Sequence, residues 1–234
     1  MKYSNKTWRA CALCMLAALA MTTGCQNKPA ETADSTNAAT DSVVAESPLD
    51  NVVVRAIMDR RSVRKYKPEP VPKEMLDVIL HCGINAPNAM NEQRWEVRVT
   101  NSKAFIDGVT KVFVESAEND ERVKKMVENP DFHNMFRNAP TVIFVAGKAD
   151  EKSSPIDCGL LGENIMLAAQ SMGLGTCCLG SAAGFLNSNP GAANYLKQLA
   201  FSDGYELLYA IAIGYPDESP EAKPRDASKI RYIE

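Results

Sequence analysis

Three guanidinium groups and one hydroxyl fall within five residues at Arg60-Arg61-Ser62-Val63-Arg64. Like charges this close repel one another, and arginine's planar fork suits a phosphate or carboxylate, so an anion is a natural partner. Taken alone, the segment also reads as a solvated basic turn. Far along the chain, Lys223-Pro224-Arg225 adds two cations on a stretch that Pro224 keeps extended. Those two can serve one ligand together, or belong to a solvated tail.

Two further segments carry possible chemistry. In Ala86-Pro87-Asn88-Ala89-Met90-Asn91-Glu92-Gln93-Arg94-Trp95, the side chains of Asn88, Asn91 and Gln93 concentrate amides in one loop. Amides both donate and accept, which suits the edge of a heterocycle of mixed polarity; a plain polar loop is the alternative. In Gly173-Leu174-Gly175-Thr176-Cys177-Cys178-Leu179-Gly180-Ser181, the glycines allow close backbone approach to a ligand. This is neither a dinucleotide fingerprint nor a P-loop. There is no Gly-x-Ser-x-Gly elbow. His81 and His133 lack metal-ligand spacing, no Cys-x-x-Cys pair occurs among Cys82, Cys158, Cys177 and Cys178, and no metal site is expected. If the chain is an enzyme, a bound cofactor does the difficult chemistry.

The elements that must position these groups show in the apolar spacing. Helices are predicted over Leu49 to Met58 and over Lys73 to Gly83, the second with Met75, Val78, Ile79 and Cys82 on one face. Trp95 to Thr100 alternates as a half-buried strand, and Pro140 to Ala146 and Leu207 to Gly214 read as buried strands. Helices follow over Ala104 to Ser116 and Glu121 to Glu128. Cys158 to Met172 is apolar all round, which places that helix at the domain centre. Thr176 to Leu179 is a short strand or extended turn, and Ile230 to Ile233 a candidate final strand. Interspersed helices and strands indicate α+β or α/β; pattern alone does not choose.

The first residues read as an address. Lys2, Lys6 and Arg9 precede a short apolar run, Ala10 to Met21, that ends at Thr22-Thr23-Gly24-Cys25. This resembles a bacterial lipoprotein signal with Cys25 as the lipidated residue, although Thr22 stands where an apolar residue is usual. An ordinary cleaved signal is the alternative. The expected organisation is a signal peptide over 1–24, a disordered tether over 25–47 and a folded domain over 48–234. The domain would sit in the cell envelope, held to an inner or outer membrane by lipid alone. The 234-residue chain carries a formal charge of −3, and loss of a basic leader makes the remainder more acidic. That argues against non-specific nucleic-acid binding.

Taken in order, Arg60 to Tyr66, Pro70-Val71-Pro72, Ala86-Pro87-Asn88, Asn91 to Trp95, Gly173-Leu174-Gly175, Ile213 to Pro216 and Lys223-Pro224-Arg225 resemble the nitroreductase family over roughly residues 50–234. The resemblance implies an α+β fold with a central mixed β-sheet flanked by helices. It also implies a homodimer with FMN at the interface. By position, Arg60, Ser62 and Arg64 would hold the phosphate and ribityl chain, with Arg61 a weaker candidate, and Lys223 and Arg225 would approach the same phosphate. Asn91 would meet the flavin from the partner subunit or the same pocket, with Asn88 and Gln93 beside it. Cys178, Leu179, Gly180 and Ser181 would line the isoalloxazine by backbone contact. Asn88 replaces the family's usual Ser, and Arg94 its usual Pro, adding a positive charge near the flavin loop.

The implied activity is ping-pong electron transfer to a nitroaromatic, quinone or similar acceptor. The donor is NAD(P)H or, for an exported domain, an unidentified envelope reductant. The polar stretch 117–136 would cover the site, with Phe132 and Phe136 in its core or against a ring. The alternatives are a non-enzymatic flavin- or ligand-binding envelope lipoprotein, or a family offshoot with other flavin chemistry.

Overall fold

The structure, a computed structural model, describes residues 51–234. The leader, Cys25 and the tether lie outside the described residues.

Two uninterrupted apolar runs form the centre. Strands β2 (Thr141–Lys148) and β4 (Tyr205–Gly214) pair antiparallel. β1 (Trp95–Thr100) flanks β2, and β3 (Gly175–Leu179) flanks β4, giving the order β1-β2-β4-β3. Successive side chains alternate between the two faces of the sheet. Val142 and Phe144 join Ala210 and Ala212 in one core, while Ile143 and Val145 join Ile211 and Ile213 in another. Both faces are therefore covered, which explains why β2 reads as continuously apolar.

One core is closed by α2 (Lys73–Ile84) and α5 (Ser154–Ser171), through Leu76, Ile79, Leu161 and Ile165. The other is closed by α3 (Lys103–Glu115), α6 (Gly180–Ser188) and α7 (Ala193–Gln198). Short helices α1 (Val52–Asp59) and α4 (Glu121–Val127) complete the set. The fold is α+β. The expected mixed sheet takes a particular form: all three strand pairs are antiparallel, and the parallel pairing is a single bridge between Ser62 and Thr176 at the β3 edge.

Several expected elements shift. α5 begins four residues before Cys158, at Ser154. It is not enclosed all round, because Ile156 and Leu160 face outward at 67% and 41% exposure. On α2, Val78 and Cys82 face outward and Leu76 faces the core. Ile230 to Ile233 forms no strand, and Ile230, Tyr232 and Ile233 stand exposed. Phe136 is fully buried edge-on to Phe144 and belongs to the core, while Phe132 stacks over Phe113 and is partly buried against that core.

Gly173 and Gly175, at the entry to β3, are used by the fold itself. Gly173 has φ 76° and ends α5. Its N–H donates to Gln170 O (3.1 Å), and that of Leu174 donates to Ala169 O (2.9 Å), the paired closure of a Schellman turn. Gly175 makes room for Val63: a Cβ there would sit 2.7 Å from Val63 Cγ2. Gly175→Ala should therefore destabilise the protein by about 1–3 kcal/mol through overpacking. Gly184→Ala, at an open position in α6, should stabilise it by up to ~1 kcal/mol. Urea unfolding of the two variants checks the sign of each effect.

Candidate functional site

The basic segment is strapped to the edge of β3. Val63 N–H donates to Thr176 O (2.9 Å), and Val63 is buried against Gly175. Tyr66 is buried too, its hydroxyl donating to Val63 O (2.6 Å) and lying 3.3 Å from Ala212 O. Lys67 N–H donates to Tyr215 O, and Asp217 N–H to Lys65 O, both at 2.9 Å. Residues 62–67 are thereby held as an extra edge along the sheet, so the flanking guanidinium groups have fixed origins.

The three arginines go to different places. Arg60 follows α1, and its Nε lies 3.9 Å from Glu163 Oε1 on α5. Arg61 turns back and donates to Met58 O (2.7 Å) and Arg60 O (2.9 Å), capping α1 instead of joining the others. Arg64 donates from its backbone to Glu218 Oε1 (2.5 Å) and from its guanidinium to Ser62 O (2.9 Å). No carboxylate pairs with the Arg64 guanidinium among the described residues.

β3 runs straight into α6 at Leu179-Gly180, so Cys178, Leu179, Gly180 and Ser181 stand at the same sheet edge as this segment. Cys178 is exposed and Gly180 faces open space. Burial pushes the Cys177 thiol up, against Arg64, Arg137 and Arg60. Although part of Cys178 reaches the surface, desolvation by the surrounding chain also raises its thiol, with Cys177 beside it, and Arg60 opposes the rise. Both are neutral thiols at pH 7 and poor nucleophiles. Cys158, buried under β2, is pushed up to about 11. All four described cysteines are free.

Arg137 was missed by the sequence reading. It lies one residue beyond the stretch expected to cover the site, and only the fold brings it beside Cys177 and Arg64. Glu163 and Glu218, which engage Arg60 and Arg64, were also missed. Glu163 had a signal, as one of few acids in an apolar helix.

The amide loop is held elsewhere. Both Asp157 carboxylate oxygens, 4% exposed on α5, accept from Ala89 N–H at 3.2 Å. Asn88 Oδ1 accepts from Gln93 N–H (2.9 Å). Met90, Asn91 and Gln93 all sit at positive φ, a concentration of left-handed backbone that needs such anchoring. Arg94 does not bring free charge to this loop: it pairs with Glu92 and, at 3.0 Å, with Glu151. Asp157 and Glu163 are separated by ~9 Å along α5 and by about a third of a turn around it. Within one chain the amides and the arginines therefore stand on different sides of α5. Lys223 and Arg225 lie on the exposed tail, where Arg225 donates to Lys223 O (3.1 Å) and Pro224 O (3.4 Å).

The donor set fits FMN. Arg60, Ser62 and Arg64 supply two guanidinium groups and a hydroxyl along one extended edge, suited to a phosphate and a polyol chain. The Thr176 hydroxyl beside Ser62 is buried with no partner among the described residues, so polar capacity remains at this edge. The open turn at Gly180 leaves backbone groups accessible to a ring.

The nitroreductase family model matches residues 57–215. A protein of Methanothermobacter thermautotrophicus assigned as an NADH dehydrogenase/NAD(P)H nitroreductase is 32% identical over 173 residues, covering 72% of this chain and 79% of that protein. The NADPH-flavin oxidoreductase of Vibrio harveyi is 29% identical over 186 residues, covering 75% and 70%. The structure of a nitroreductase with bound FMN from Desulfitobacterium hafniense superposes with a TM-score of 0.71 at 27% identity, covering 79% of this chain and 99% of that one.

Asp157→Ala should free the Ala89 amide and relax the positive-φ turn, a loss of about 1–3 kcal/mol. Hydrogen exchange at residues 89–93 should speed up in that variant and change much less in Asp157→Asn. Unchanged exchange would show that the loop holds itself.

Proposed function

From the premise that the chain belongs to the nitroreductase family and is an FMN-dependent oxidoreductase, we propose that it passes electrons in ping-pong fashion from a reduced donor to a nitroaromatic, quinone or similar planar acceptor. The observation that carries this reading is the Arg60–Arg64 segment fixed along β3, with Cys178 to Ser181 at the same edge. Bound FMN supplies reversible two-electron chemistry that no side chain here provides.

Arg60 and Arg64 neutralise the phosphate and Ser62 holds the ribityl chain. Lys223 and Arg225 join them from the tail. Arg61 is a peripheral contributor, because α1 already takes its guanidinium. Backbone groups of Cys178 to Ser181 orient the ring edge. The neutral thiols of Cys177 and Cys178 keep negative charge away from it.

Asn88, Asn91 and Gln93 act on the flavin of the partner subunit, because α5 separates them from the arginines of their own chain. An apolar outer face supports a homodimer. Val52, Val53, Ile57 and Val78 are exposed at 50–69%, alongside Ile156 and Leu160 on α5. Solitary exposed apolar residues are ordinary, but several together on adjoining helices mark an interaction surface.

The donor is NAD(P)H if the domain meets it. A lipidated Cys25 would hold the protein in the cell envelope, where a quinol or protein reductant would take that role. Palmitate labelling that disappears in Cys25→Ala supports the anchored form; labelling that persists removes it.

Paired Arg60→Ala and Arg64→Ala substitutions should cost ~2–4 kcal/mol of FMN affinity, roughly 30- to 1,000-fold. Titration of the apoprotein, followed through the visible absorbance of the flavin, measures it. Unchanged affinity would move the phosphate elsewhere.

A further inference from the structure

We propose that Arg137 selects the acceptor by pairing with the carboxylate of a planar aromatic substrate, whose ring occupies the cavity between α4, α6 and the 113–137 region. The inference rests on the reading that the flavin ring lies against Leu179 to Ser181.

Arg137 is held in an unusual way. It and Asn138 take φ of 60° and 63°, two successive left-handed residues without glycine. Paired amides maintain that turn. Asn138 Oδ1 accepts from His133 N–H (2.8 Å) and Asn134 N–H (2.9 Å). Asn134 Oδ1 accepts from Phe136 N–H (2.9 Å) and Asn138 N–H (3.0 Å). Phe136, fully buried, pins the preceding residue, and Ala139 the following one. Four side-chain hydrogen bonds and two buried anchors thus fix the start of a side chain that is itself half-buried.

The Arg137 guanidinium makes no hydrogen bond and no ion pair among the described residues. Burying part of a cation without a partner is costly, and an anion relieves the cost. The surroundings indicate which anion. Arg137 lines a cavity of about 540 Å³ whose walls include Phe113, Met126, Met135, Leu179 and Phe185. Aromatic and thioether walls suit a flat apolar ring. The cavity reaches Leu179 and Ser181, so a ring within it lies next to the flavin's expected place.

The other charges lining this cavity are already engaged. Asp120 caps α4, accepting from the N–H groups of Arg122 (2.8 Å) and Val123 (3.4 Å), and Arg122 Nη2 lies 3.5 Å from Asp120 Oδ2. Arg122 is largely exposed, which leaves Arg137 as the inner cation. Arg60 is a poorer candidate, since it stands beside Glu163 at the opposite end of the basic segment.

The test uses the full FMN-loaded chain and two acceptors that share a nitroarene ring and differ at the carboxyl group, 4-nitrobenzoate and its methyl ester, with NADH or photochemical reduction of the flavin supplying electrons, and each variant is compared with the wild type on the same acceptor. Benzoate binding by calorimetry gives a second readout independent of turnover. Arg137→Met should raise the KM for the acid and the Kd for benzoate by about 10- to 100-fold, the size of one charge-assisted pair. The ester should change less than about three-fold, and FMN content should stay at the wild-type level. Arg137→Lys should recover part of the acid preference. Equal losses on acid and ester would overturn the proposal, as would a wild type that neither prefers the acid nor binds benzoate. Loss of FMN from Arg137→Met would also overturn it, by making Arg137 a flavin ligand. If the wild type takes up no FMN, the flavin reading itself fails, and the spectrum shows that before any acceptor is added.

Discussion

The seating of Val63 in the notch left by Gly175 is the contact on which the site depends. It brings Val63 N–H onto Thr176 O and places Tyr66 beneath the chain, so that a run of repelling cations becomes an ordered edge of the sheet. A string of arginines in a flexible turn would spread away from its own charge and would have to be ordered by each ligand it bound. Here the fold supplies that order in advance. The cost of holding Arg60 and Arg64 in one neighbourhood is met by apolar burial and backbone hydrogen bonding, and an incoming anion finds its partners already placed.

α5 organises the remainder. Near its start, Asp157 grips the amide loop; almost two turns on, Glu163 faces Arg60. Its inner face packs against the sheet through Leu161 and Ile165, and its outer face keeps Ile156 and Leu160 in solvent. A helix that carries site residues on two sides and apolar residues on a third is suited to sit between two copies of a chain. Each copy could then complete the other's site, with one helix fixing the spacing.

Much of this was legible from the residues alone. β2 and β4 stood out because strands buried on both faces need unbroken apolar runs, and the basic segment because three arginines in five positions require a reason. The family resemblance added the cofactor and the order of the site residues. α6 and α7 were not legible: Gly180 to Ser188 is mostly small and polar residues, so its helicity comes from packing Ala182, Ala183 and Leu186 on the core, not from periodicity. The outer face of α5 was misjudged because an apolar side chain reads alike whether it enters its own core or a surface meant for another chain. Arg61 could only be ranked below its neighbours, since sequence adjacency cannot show that its guanidinium turns back onto a helix end. Arg137 could not be seen at all, because its meaning lies in a loop folded back over β3 from a distant part of the chain.

The central claim is that one phosphorylated flavin lies along the Arg60–Arg64 edge with its ring at the β3–α6 turn. A crystal structure of the full chain loaded with FMN tests it most directly. The account predicts phosphate oxygens within about 3 Å of the Arg60 or Arg64 guanidinium, and the isoalloxazine edge within similar reach of the Leu179 to Ser181 backbone. A phosphate placed away from both arginines, or a ring on another face of the sheet, would contradict it.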